Sequence, residues 1–471
     1  MFNLETTKFR YQDDVSNQTF PVHNPNNLLP LENIHKCTAP EALSALAVAD
    51  SYQSVWKKVA VGKRAEVLEK WAQKLEENSE SIANTVIKEQ GKPLAEALGE
   101  VNHSAMLLRL QASAAQEQLD AAVATEKGTL RREGVGVTLA ITPWNFPVAS
   151  VVVKVGAALA SGCTVLLKPA EETPITALYI VSLAYLAGVP LEALQVLTTD
   201  HPQEVAEVLI QSPKVRMISF TGSIAIGREI MRKSASTVKQ LGLELGGNAP
   251  FIVLDDADAQ LAARETIGAK FYNSGQICIG ANRFLISKKI LEKYLKELKP
   301  MLEQLDVGPG KKIGPMIDLE AAQRINNLIA DALSKGAYLS YKKQVSHLGE
   351  QYIPPQILTG ITPKMKIYNT EIFGPVIAIR ELPAQTNEES IWKMANDCDA
   401  GLAGYVFTSA KDKQEAAARE LEVGMLGINT AEVCKAHLPF GGIKQSGLGH
   451  EGGPEPLNDF LVNKCLVMKG R

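Results

Sequence analysis

The hydrophobic and polar positions divide the chain into a helical first part and a longer part in which strands and helices alternate. Apolar residues recur at helical spacing over residues 41–57 and 63–90, whereas residues 131–140 alternate in the manner of a strand. From Val165 onward, short apolar runs alternate with helical stretches. They predict strands at 165–167, 194–198, 217–220 and 251–254, and helices at 173–187, 203–211, 224–235 and from Ala259. This order predicts a doubly wound, mainly parallel α/β sheet.

The same alternation continues beyond residue 280 and predicts a second α/β unit. A loop rich in glycine and proline, residues 307–315, separates its first strand and helix from the rest. The last apolar run, residues 460–468, predicts a strand with no obvious partner nearby, and such a strand often pairs with another element or another subunit. The other elements of this unit are expected as a helix at 290–305 and strands at 283–286, 376–379, 404–407 and 425–429.

Length and charge restrict the class of protein. The 471 residues exceed what one hydrophobic core usually serves, so two or three domains are expected. The net charge is −3, without a basic stripe or a basic amphipathic segment, so neither a nucleic acid nor a membrane is an expected partner. The N-terminus lacks the apolar core of a secretory signal, and the uncharged stretch 173–191 is interpreted as a buried helix. We therefore expect a cytoplasmic protein.

Cys278 ends a segment of small and polar residues, Phe-Tyr-Asn-Ser-Gly-Gln-Ile-Cys, which begins at Phe271. It could be a buried filler, a metal ligand, half of a disulfide or a nucleophile. The six cysteines are scattered without a CxxC pair or metal-ligand spacing, so no metal site is expected, and a long cytosolic chain is not expected to form disulfides. A cysteine beside apolar residues is usually an inert core residue, but a loop position could present it to a cleft.

Two other segments offer groups that could assist a nucleophile. Glu244 lies between leucines in Leu-Glu-Leu-Gly-Gly, and burial would raise its pKa towards that of a general base; the alternative is a glutamate at a strand edge facing water. Asn145 lies between two prolines in Thr-Pro-Trp-Asn-Phe-Pro, which would hold its amide as a donor to an oxyanion. The alternative is a simple turn with an aromatic anchor.

Two strand ends could bind a cofactor. Lys168 and Glu171 follow the predicted strand at 165–167, where ligands bind in open α/β sheets, although a solvated salt pair is the alternative. The segment 220–227, Phe-Thr-Gly-Ser-Ile-Ala-Ile-Gly, has the strand, glycine turn and helix start that present backbone N–H groups to a phosphate. It lacks the GxGxxG fingerprint of the dinucleotide-binding fold.

Taken together, these segments resemble the NAD(P)-dependent aldehyde dehydrogenase superfamily. The resemblance extends from about His23 to the tail and is nearest in general appearance to the succinate-semialdehyde dehydrogenase branch. The segments that carry it, in chain order, are TPWNFP (142–147), LLKPAE (166–171), FTGS (220–223) with Gly227, LELGG (243–247), FYNSGQIC (271–278), EIFGP (371–375) and PFGGIKQSG (439–447).

The resemblance implies a catalytic set. Cys278 corresponds to the nucleophile, Glu244 to the general base, and Asn145 to the oxyanion donor, together with the backbone N–H of Cys278. The implied reaction is attack of the thiolate on an aldehyde, loss of a hydride to NAD(P), and hydrolysis of the resulting thioester by water that Glu244 activates. The small, polar cysteine loop would let sulfur, substrate and nicotinamide meet.

The resemblance also implies a cofactor site. Lys168 and Glu171 correspond to residues that bind the adenosine ribose, and Ser223 to a residue near the pyrophosphate. Glu371 corresponds to a ligand of the nicotinamide ribose, and Phe373 to a residue that packs near the nicotinamide. Trp144 and Gly222, beside Asn145 and Ser223, complete the predicted set of cofactor-binding residues.

The fold that the resemblance implies is α/β, with two doubly wound Rossmann-like domains and a small β-strand arm that joins subunits. We expect the NAD-binding domain at 1–118 and 137–246, the catalytic domain at 247–445, and the oligomerisation arm at 119–136 and 455–471. The tail strand fits that arm, so the predicted assembly is a homodimer or a homotetramer.

Three observations qualify the prediction. Succinate-semialdehyde enzymes commonly bind the substrate carboxylate with arginines, but the corresponding positions here are Val153 and Tyr272, which makes an uncharged aliphatic or aromatic aldehyde the alternative substrate. Gly280 replaces the second cysteine that many of those enzymes carry as a redox partner. A carboxylate at Glu171 would repel a 2′-phosphate, which favours NAD over NADP, although the nearby Lys168 would weaken that preference.

Two other functions belong to different classes. A CoA-acylating relative would pass the acyl group to CoA, and Glu244 argues against it because a base is needed to activate water. A non-catalytic binding or structural protein could have kept the fold, but the presence of Cys278, Glu244 and Asn145 together argues against it.

Overall fold

The computed structural model describes residue 9 and residues 18–119, 123–125, 128–453 and 455–467. The helices are α1 (Ala39–Trp56), α2 (Val61–Glu77), α3 (Ser79–Gln90), α4 (Leu94–Leu119), α5 (Ala149–Ala160), α6 (Pro174–Ala187), α7 (Pro202–Gln211), α8 (Ile224–Ser234), α9 (Ala259–Phe271), α10 (Lys288–Glu303), α11 (Leu319–Ser334), α12 (Lys366–Asn369), α13 (Glu388–Asn396) and α14 (Lys411–Glu420).

The strands are β1 (Thr19–His23), β2 (Pro30–His35), β3 (Val123–Thr125), β4 (Gly128–Gly134), β5 (Thr138–Ile141), β6 (Val165–Lys168), β7 (Leu194–Val196), β8 (Met217–Gly222), β9 (Gln240–Leu245), β10 (Ala249–Val253), β11 (Ala281–Ser287), β12 (Tyr338–Lys342), β13 (Gln356–Thr359), β14 (Val376–Leu382), β15 (Ala400–Gly401), β16 (Ala403–Phe407), β17 (Met425–Ile428), β18 (Pro439–Phe440), β19 (Ile443–Lys444), β20 (Gly447–Leu448), β21 (Glu451–Gly452) and β22 (Leu461–Leu466).

Two large sheets organise the described residues. The first has the order β20-β9-β8-β5-β6-β7 and is parallel except for β20. The second has the order β12-β13-β14-β11-β10-β16-β17 and is parallel except for β12. The strand order reverses between β5 and β8 in the first sheet and between β10 and β16 in the second. Both sheets are therefore doubly wound, and the predicted α/β fold class is confirmed.

Each sheet is covered on both faces, which explains why strands such as β6 and β10 are largely apolar. In β6, Val165 and Leu167 belong to one hydrophobic cluster, whereas Leu166 between them belongs to a cluster on the opposite face. In β10, Phe251 and Ile252 likewise belong to two clusters on opposite faces of the sheet. Side chains in a strand point alternately to the two faces, so burial on both faces leaves few polar positions.

The apolar pattern over residues 63–90 predicts one helical stretch, which the structure divides into two helices. Helix α2 ends before Asn78, whose φ of −112° and ψ of 14° are not helical, and α3 starts at Ser79. The Asn78 side chain donates to the carbonyl of Lys74 at 2.8 Å. An asparagine that bonds to nearby backbone competes with the helix, and this ends α2 within a continuous helical pattern.

The prediction of one strand over residues 131–140 was wrong. Strands β4 and β5 occupy this region, and they belong to different sheets. The chain turns between them at Gly136, which has a φ of +124° that favours glycine.

The tail strand, for which the pattern showed no partner, pairs within the same chain. Strand β22 is antiparallel to β4, with Leu461 opposite Gly134 and Leu466 opposite Thr129. Together with β3 these strands form a small sheet in the order β22-β4-β3. The predicted end of the tail strand at Met468 lies outside the described residues, as do parts of the predicted arm. The domain boundaries stay a prediction.

Candidate active site

A cavity of about 1090 Å³ lies between the carboxyl edge of the first sheet and the loops that lead into the second. Eight of the ten predicted site residues line it. Lys168 and Glu171 are outside this lining, at the end of the neighbouring strand β6. The eight are Trp144, Asn145, Gly222, Ser223, Glu244, Cys278, Glu371 and Phe373.

The cysteine loop follows α9 and has an unusual backbone. Asn273, Ser274 and Gly275 have φ values of +50°, +57° and +79°, so three successive residues are in the left-handed region. Non-glycine residues in this region are strained and need surrounding contacts to hold them. The backbone N–H of Asn273 donates to Glu96 at 2.7 Å, and that of Gly314 donates to Ser274 Oγ at 2.8 Å. These contacts fix the loop that presents Cys278.

Cys278 is a half-buried free thiol, and all six cysteines of the chain are free. Burial, and then the carboxylates of Glu371 and Glu244, raise the pKa of the Cys278 thiol, whereas the backbone N–H of Ile279 acts in the opposite direction. Because the thiolate is the nucleophilic form of cysteine, a base or a positive charge must assist its formation.

Glu244 lies at the carboxyl end of β9 and is 4% exposed. Neither of its carboxylate oxygens has a hydrogen-bond partner among the residues that the structure describes. Burial and then Glu451 raise the pKa of Glu244 well above its usual range, and Lys154 opposes this. The buried Lys154 forms an ion pair with Glu451 behind Glu244. A carboxyl group without partners and with a raised pKa has the properties of a general base.

Asn145 lies in the loop after β5, where its amide faces the cysteine loop. Its Nδ2 donates to the backbone carbonyl of Gln276 at 3.1 Å, two residues before Cys278. A primary amide carries two N–H groups, so the second can serve another acceptor. Asn145 is therefore placed to donate to an oxygen atom bound close to the sulfur.

An aromatic and acidic wall is opposite this loop. The rings of Trp144 and Phe373 meet edge to face, with centroids 5.7 Å apart. Glu371 accepts a hydrogen bond from the backbone N–H of Gly247 at 3.3 Å, and burial raises the pKa of Glu371 to about 7. A Cβ atom at Gly246 would lie 2.7 Å from the Glu371 carboxylate, so the glycine leaves room for this side chain.

The ends of β6 and β8 provide polar groups beside the cavity. Thr221 Oγ1 is buried without a partner in the described part of the chain. Ser223 is the N-cap of α8, and its hydroxyl accepts a hydrogen bond from the backbone N–H of Ile226 at 3.3 Å. Lys168 and Glu171 form an ion pair at 2.8 Å.

Several contacts around the site could not be predicted from the sequence. Lys154 and Glu451, far apart in the chain, meet behind Glu244. Arg324 donates to the carbonyl oxygens of Glu371 and Ile372 at 3.0 and 2.7 Å, which fixes the segment before β14. Their residue types carry no local signal, because each contact depends on elements that are distant in sequence.

Comparison with known proteins settles the class. The family model described as "Aldehyde dehydrogenase family" matches residues 11–466. The chain belongs to the aldehyde dehydrogenase family. It is 38% identical to a mitochondrial succinate-semialdehyde dehydrogenase of Oryza sativa subsp. japonica, over 98% of this chain and 88% of the relative. It is also 38% identical to a 3-sulfolactaldehyde dehydrogenase of Pseudomonas putida, over 97% of this chain and 94% of the relative.

Solved structures give the same result. An NADP-dependent enzyme of E. coli superposes with a TM-score of 0.92 at 36% identity, covering 96% of this chain and 95% of that one. A betaine aldehyde dehydrogenase of Staphylococcus aureus in complex with NAD+ also has a TM-score of 0.92, at 28% identity and with coverage of 98% and 95%. The protein is thus an NAD(P)-dependent oxidoreductase that acts on aldehydes. Within the described residues, no helix is long and apolar enough to cross a bilayer.

The residues present fit a nicotinamide dinucleotide. The Thr221 hydroxyl, which has no partner among the described residues, and the first turn of α8 offer polar groups and backbone N–H groups at a strand end, where pyrophosphates bind. The Glu371 carboxylate lies close to the backbone of Gly246, where a Cβ atom would not fit. The described residues contain no cluster with metal-binding composition.

Proposed function

We propose that this aldehyde dehydrogenase oxidises its substrate to a carboxylic acid through a thioester on Cys278, with Glu244 as the base that activates water and Asn145 as the oxyanion donor. The observation that carries the proposal is the meeting of these three side chains in one cavity, with the Glu244 carboxylate lacking a partner among described residues. The amide of Asn145 beside the cysteine loop provides further support.

The first step is attack of the Cys278 sulfur on the aldehyde carbon, which forms a C–S bond and places negative charge on the aldehyde oxygen. Asn145 Nδ2 and the backbone N–H of Cys278 donate to that oxygen. A bound dinucleotide supplies the acceptor for the hydride that aldehyde oxidation releases. Glu244 then takes a proton from water, the hydroxide attacks the thioester carbon, and the C–S bond breaks to release the acid.

We assign the cofactor to the residues predicted from the sequence. Lys168 and Glu171 would bind the adenosine ribose, Gly222 and Ser223 the pyrophosphate, and Glu371 the nicotinamide ribose. The remaining two, Trp144 and Phe373, would pack near the nicotinamide. The carboxylate of Glu171 favours NAD over NADP because it repels a 2′-phosphate, although its ion pair with Lys168 reduces this effect.

For the substrate we propose an aldehyde that carries a terminal anionic group, of the succinate-semialdehyde type. The two curated relatives named above act on aldehydes of this kind. At the more exposed part of the cavity, Arg264 and Lys435 supply positive charge, although each has an acidic neighbour, Glu265 and Glu432. The second candidate is an uncharged aldehyde of similar length.

The second candidate rests on two wall positions. Val153 and Tyr272, at the places where arginines were expected, both line the cavity. The ring of Tyr272 stacks on Phe146, with centroids 6.1 Å apart and planes 7° apart. This part of the wall is apolar and aromatic, and a carboxylate buried against it would lack a partner.

The test compares initial rates of reduced-cofactor formation for succinate semialdehyde and butanal, each with NAD and with NADP. A higher kcat/KM for succinate semialdehyde that falls in Lys435→Gln, with butanal unchanged, supports the anionic substrate. A preference for butanal would instead support the second candidate, an uncharged aldehyde. Activity that survives in Cys278→Ala would overturn the mechanism itself.

We further propose that the small sheet of β3, β4 and β22 joins subunits in a homodimer or homotetramer. Strand β22 lies at the edge of this sheet, where its outer backbone groups could pair with another subunit. The domain boundaries given above belong to the same proposal. The cytoplasmic location also stays a prediction.

A further inference from the structure

Lys92 is a buried lysine in the short connection between α3 and α4, and only 1% of its surface is exposed. Its Nζ lies 2.5 Å from Glu100 Oε2, 2.9 Å from the carbonyl oxygen of Asn145 and 4.1 Å from the centre of the Phe146 ring. A buried charge is costly unless it is paired and hydrogen-bonded. The three contacts satisfy this lysine, and two of them are made with the loop that carries Asn145.

The partner of Lys92 extends the contact to the other end of the same loop. Glu100 Oε1 accepts hydrogen bonds from the backbone N–H groups of Val148 and Ala149, at 2.8 and 3.1 Å. These residues begin α5, directly after the Asn145 turn. The Lys92–Glu100 pair therefore holds the backbone on both sides of the turn.

A second branch joins this loop to the cysteine loop. Gln90 Nε2 donates to Asn273 Oδ1 at 2.9 Å, and its Oε1 accepts from the backbone N–H of Lys92 at 3.0 Å. Asn273 Nδ2 lies 3.1 Å from the carbonyl oxygens of both Asn145 and Gln276. One buried network thus connects the α3–α4 segment with both loops that supply the proposed oxyanion donors.

We propose that Lys92 is a positioning residue that holds the Asn145 amide in place to receive the substrate oxygen. The inference rests on the proposed function, in which Asn145 donates to that oxygen. An oxyanion donor is effective only within a narrow range of distance to the developing charge. The Lys92 ammonium fixes the Asn145 carbonyl, and with it the position from which the side-chain amide extends.

The competing explanation is that Lys92 only balances the buried charge of Glu100. The double variant Lys92→Met with Glu100→Gln distinguishes between the two explanations. It removes both charges, while the glutamine oxygen can still accept from Val148 and Ala149. It also leaves no unpaired buried charge, so it is expected to fold even if Lys92→Met alone does not. Lys239→Met is the matched control, because Lys239 also donates to two backbone carbonyls, of Ser212 and Val215, but lies outside the cavity.

Two reactions of Cys278, both run without cofactor or aldehyde, give the readout. With 4-nitrophenyl acetate, the thiolate attacks the ester carbonyl, an oxyanion develops, a C–S bond forms and 4-nitrophenolate leaves. With iodoacetamide, the thiolate displaces iodide from a saturated carbon, and no oxyanion forms. The ratio of the two rates therefore reports oxyanion stabilisation separately from the reactivity of the sulfur. Thermal unfolding of each variant is measured in parallel.

We expect acylation by the ester to fall about 10²-fold in Lys92→Met and in the double variant, since a displaced donor costs roughly that much. Alkylation should remain near the wild-type rate in both, and Lys239→Met should change neither rate. In an Asn145→Ala background, Lys92→Met should cause no further loss, because the residue acts through the missing amide.

Three outcomes would overturn the inference: wild-type acylation in the double variant, wild-type acylation in Lys92→Met when Asn145→Ala is slow, or equal loss of acylation and alkylation. The first would mean that Lys92 only balances Glu100, and the last that it acts on the sulfur. If Asn145→Ala itself acylates at the wild-type rate, the oxyanion assignment of the proposed function fails, and the inference about Lys92 fails with it.

Discussion

Glu89 and Glu244 are both buried glutamates, and burial raises the pKa of each, but their hydrogen bonding differs. Glu89 accepts three hydrogen bonds at 2.6 Å, from the backbone N–H of Ile175 and from the backbone and hydroxyl of Thr176, at the start of α6. Glu244 has no partner within the described residues. A carboxyl group with filled acceptor sites stabilises a helix end, whereas one with free acceptor sites remains available to water or substrate.

The comparison shows that a raised pKa does not by itself identify a catalytic base. Glu89 is fully buried and outside the lining of the cavity, and its donors are the free N–H groups of a helix terminus. Glu244 lines the cavity that also contains Cys278. Geometry, and not the direction of the shift, assigns one glutamate to the fold and the other to the proposed chemistry.

The largest expected effect concerns Glu244. Glu244→Gln should lower steady-state turnover by about 10²–10⁴-fold, because the thioester lacks a base to activate water. The first turnover should still release reduced cofactor, so rapid mixing should show a burst followed by a slow phase. The free energy of unfolding should not fall, since no hydrogen bond is lost. Wild-type turnover in this variant would show that Glu244 is not the base.

Glu89→Gln should have the opposite effects to Glu244→Gln, with a loss of stability and no loss of kcat. The amide nitrogen would face a backbone donor, so the free energy of unfolding should fall by about 1–3 kcal/mol. The kcat should stay in the wild-type range. Urea unfolding and steady-state kinetics measure both quantities. A large loss of kcat with unchanged stability would contradict the structural role of Glu89.

The two glutamates should also differ in how pH acts on stability. Burial raises the pKa of Glu89 to about 8, above the value of about 4.3 for a glutamate in an unfolded chain. Between these values the folded state binds a proton that the unfolded state has lost, so this contribution to stability declines as pH rises. The stability difference between wild type and Glu89→Gln should therefore be smaller at pH 8 than at pH 5. A stability difference that does not change with pH would contradict the raised pKa of Glu89.

The smallest effect tests the surroundings of Glu244. Glu451 raises the pKa of Glu244, and Lys154 lowers it. Glu451→Gln removes the first influence and leaves the second, so the ascending limb of the pH–rate profile should move to lower pH. Glu422→Gln, which removes the partner of Lys444 outside the cavity, is the control and should leave the profile in place. A shift to higher pH would contradict the assigned charges.

Some elements could be predicted from the sequence because their cause is local. The strands β6, β8 and β10 are short and mostly apolar, since parallel strands covered on both faces have few polar positions. The close contacts of Gly246 with Glu371 and of Gly247 with the carbonyl of Cys278, in contrast, depend on elements that are distant in sequence. The separation of α2 from α3 at Asn78 depended on a side-chain hydrogen bond that the apolar pattern does not show.

The sequence by itself indicated the class of this protein, because the segments around Asn145, Glu244 and Cys278 resemble those of the aldehyde dehydrogenase family. The tertiary structure decided which of its polar residues act together. It placed the Lys92–Glu100 pair against the loop that carries Asn145, and it paired β22 with β4, so that each contact joins distant parts of the chain. The physical reason is that burial and electrostatic pairing depend on distance in space, and the chain order specifies neighbours only within one element.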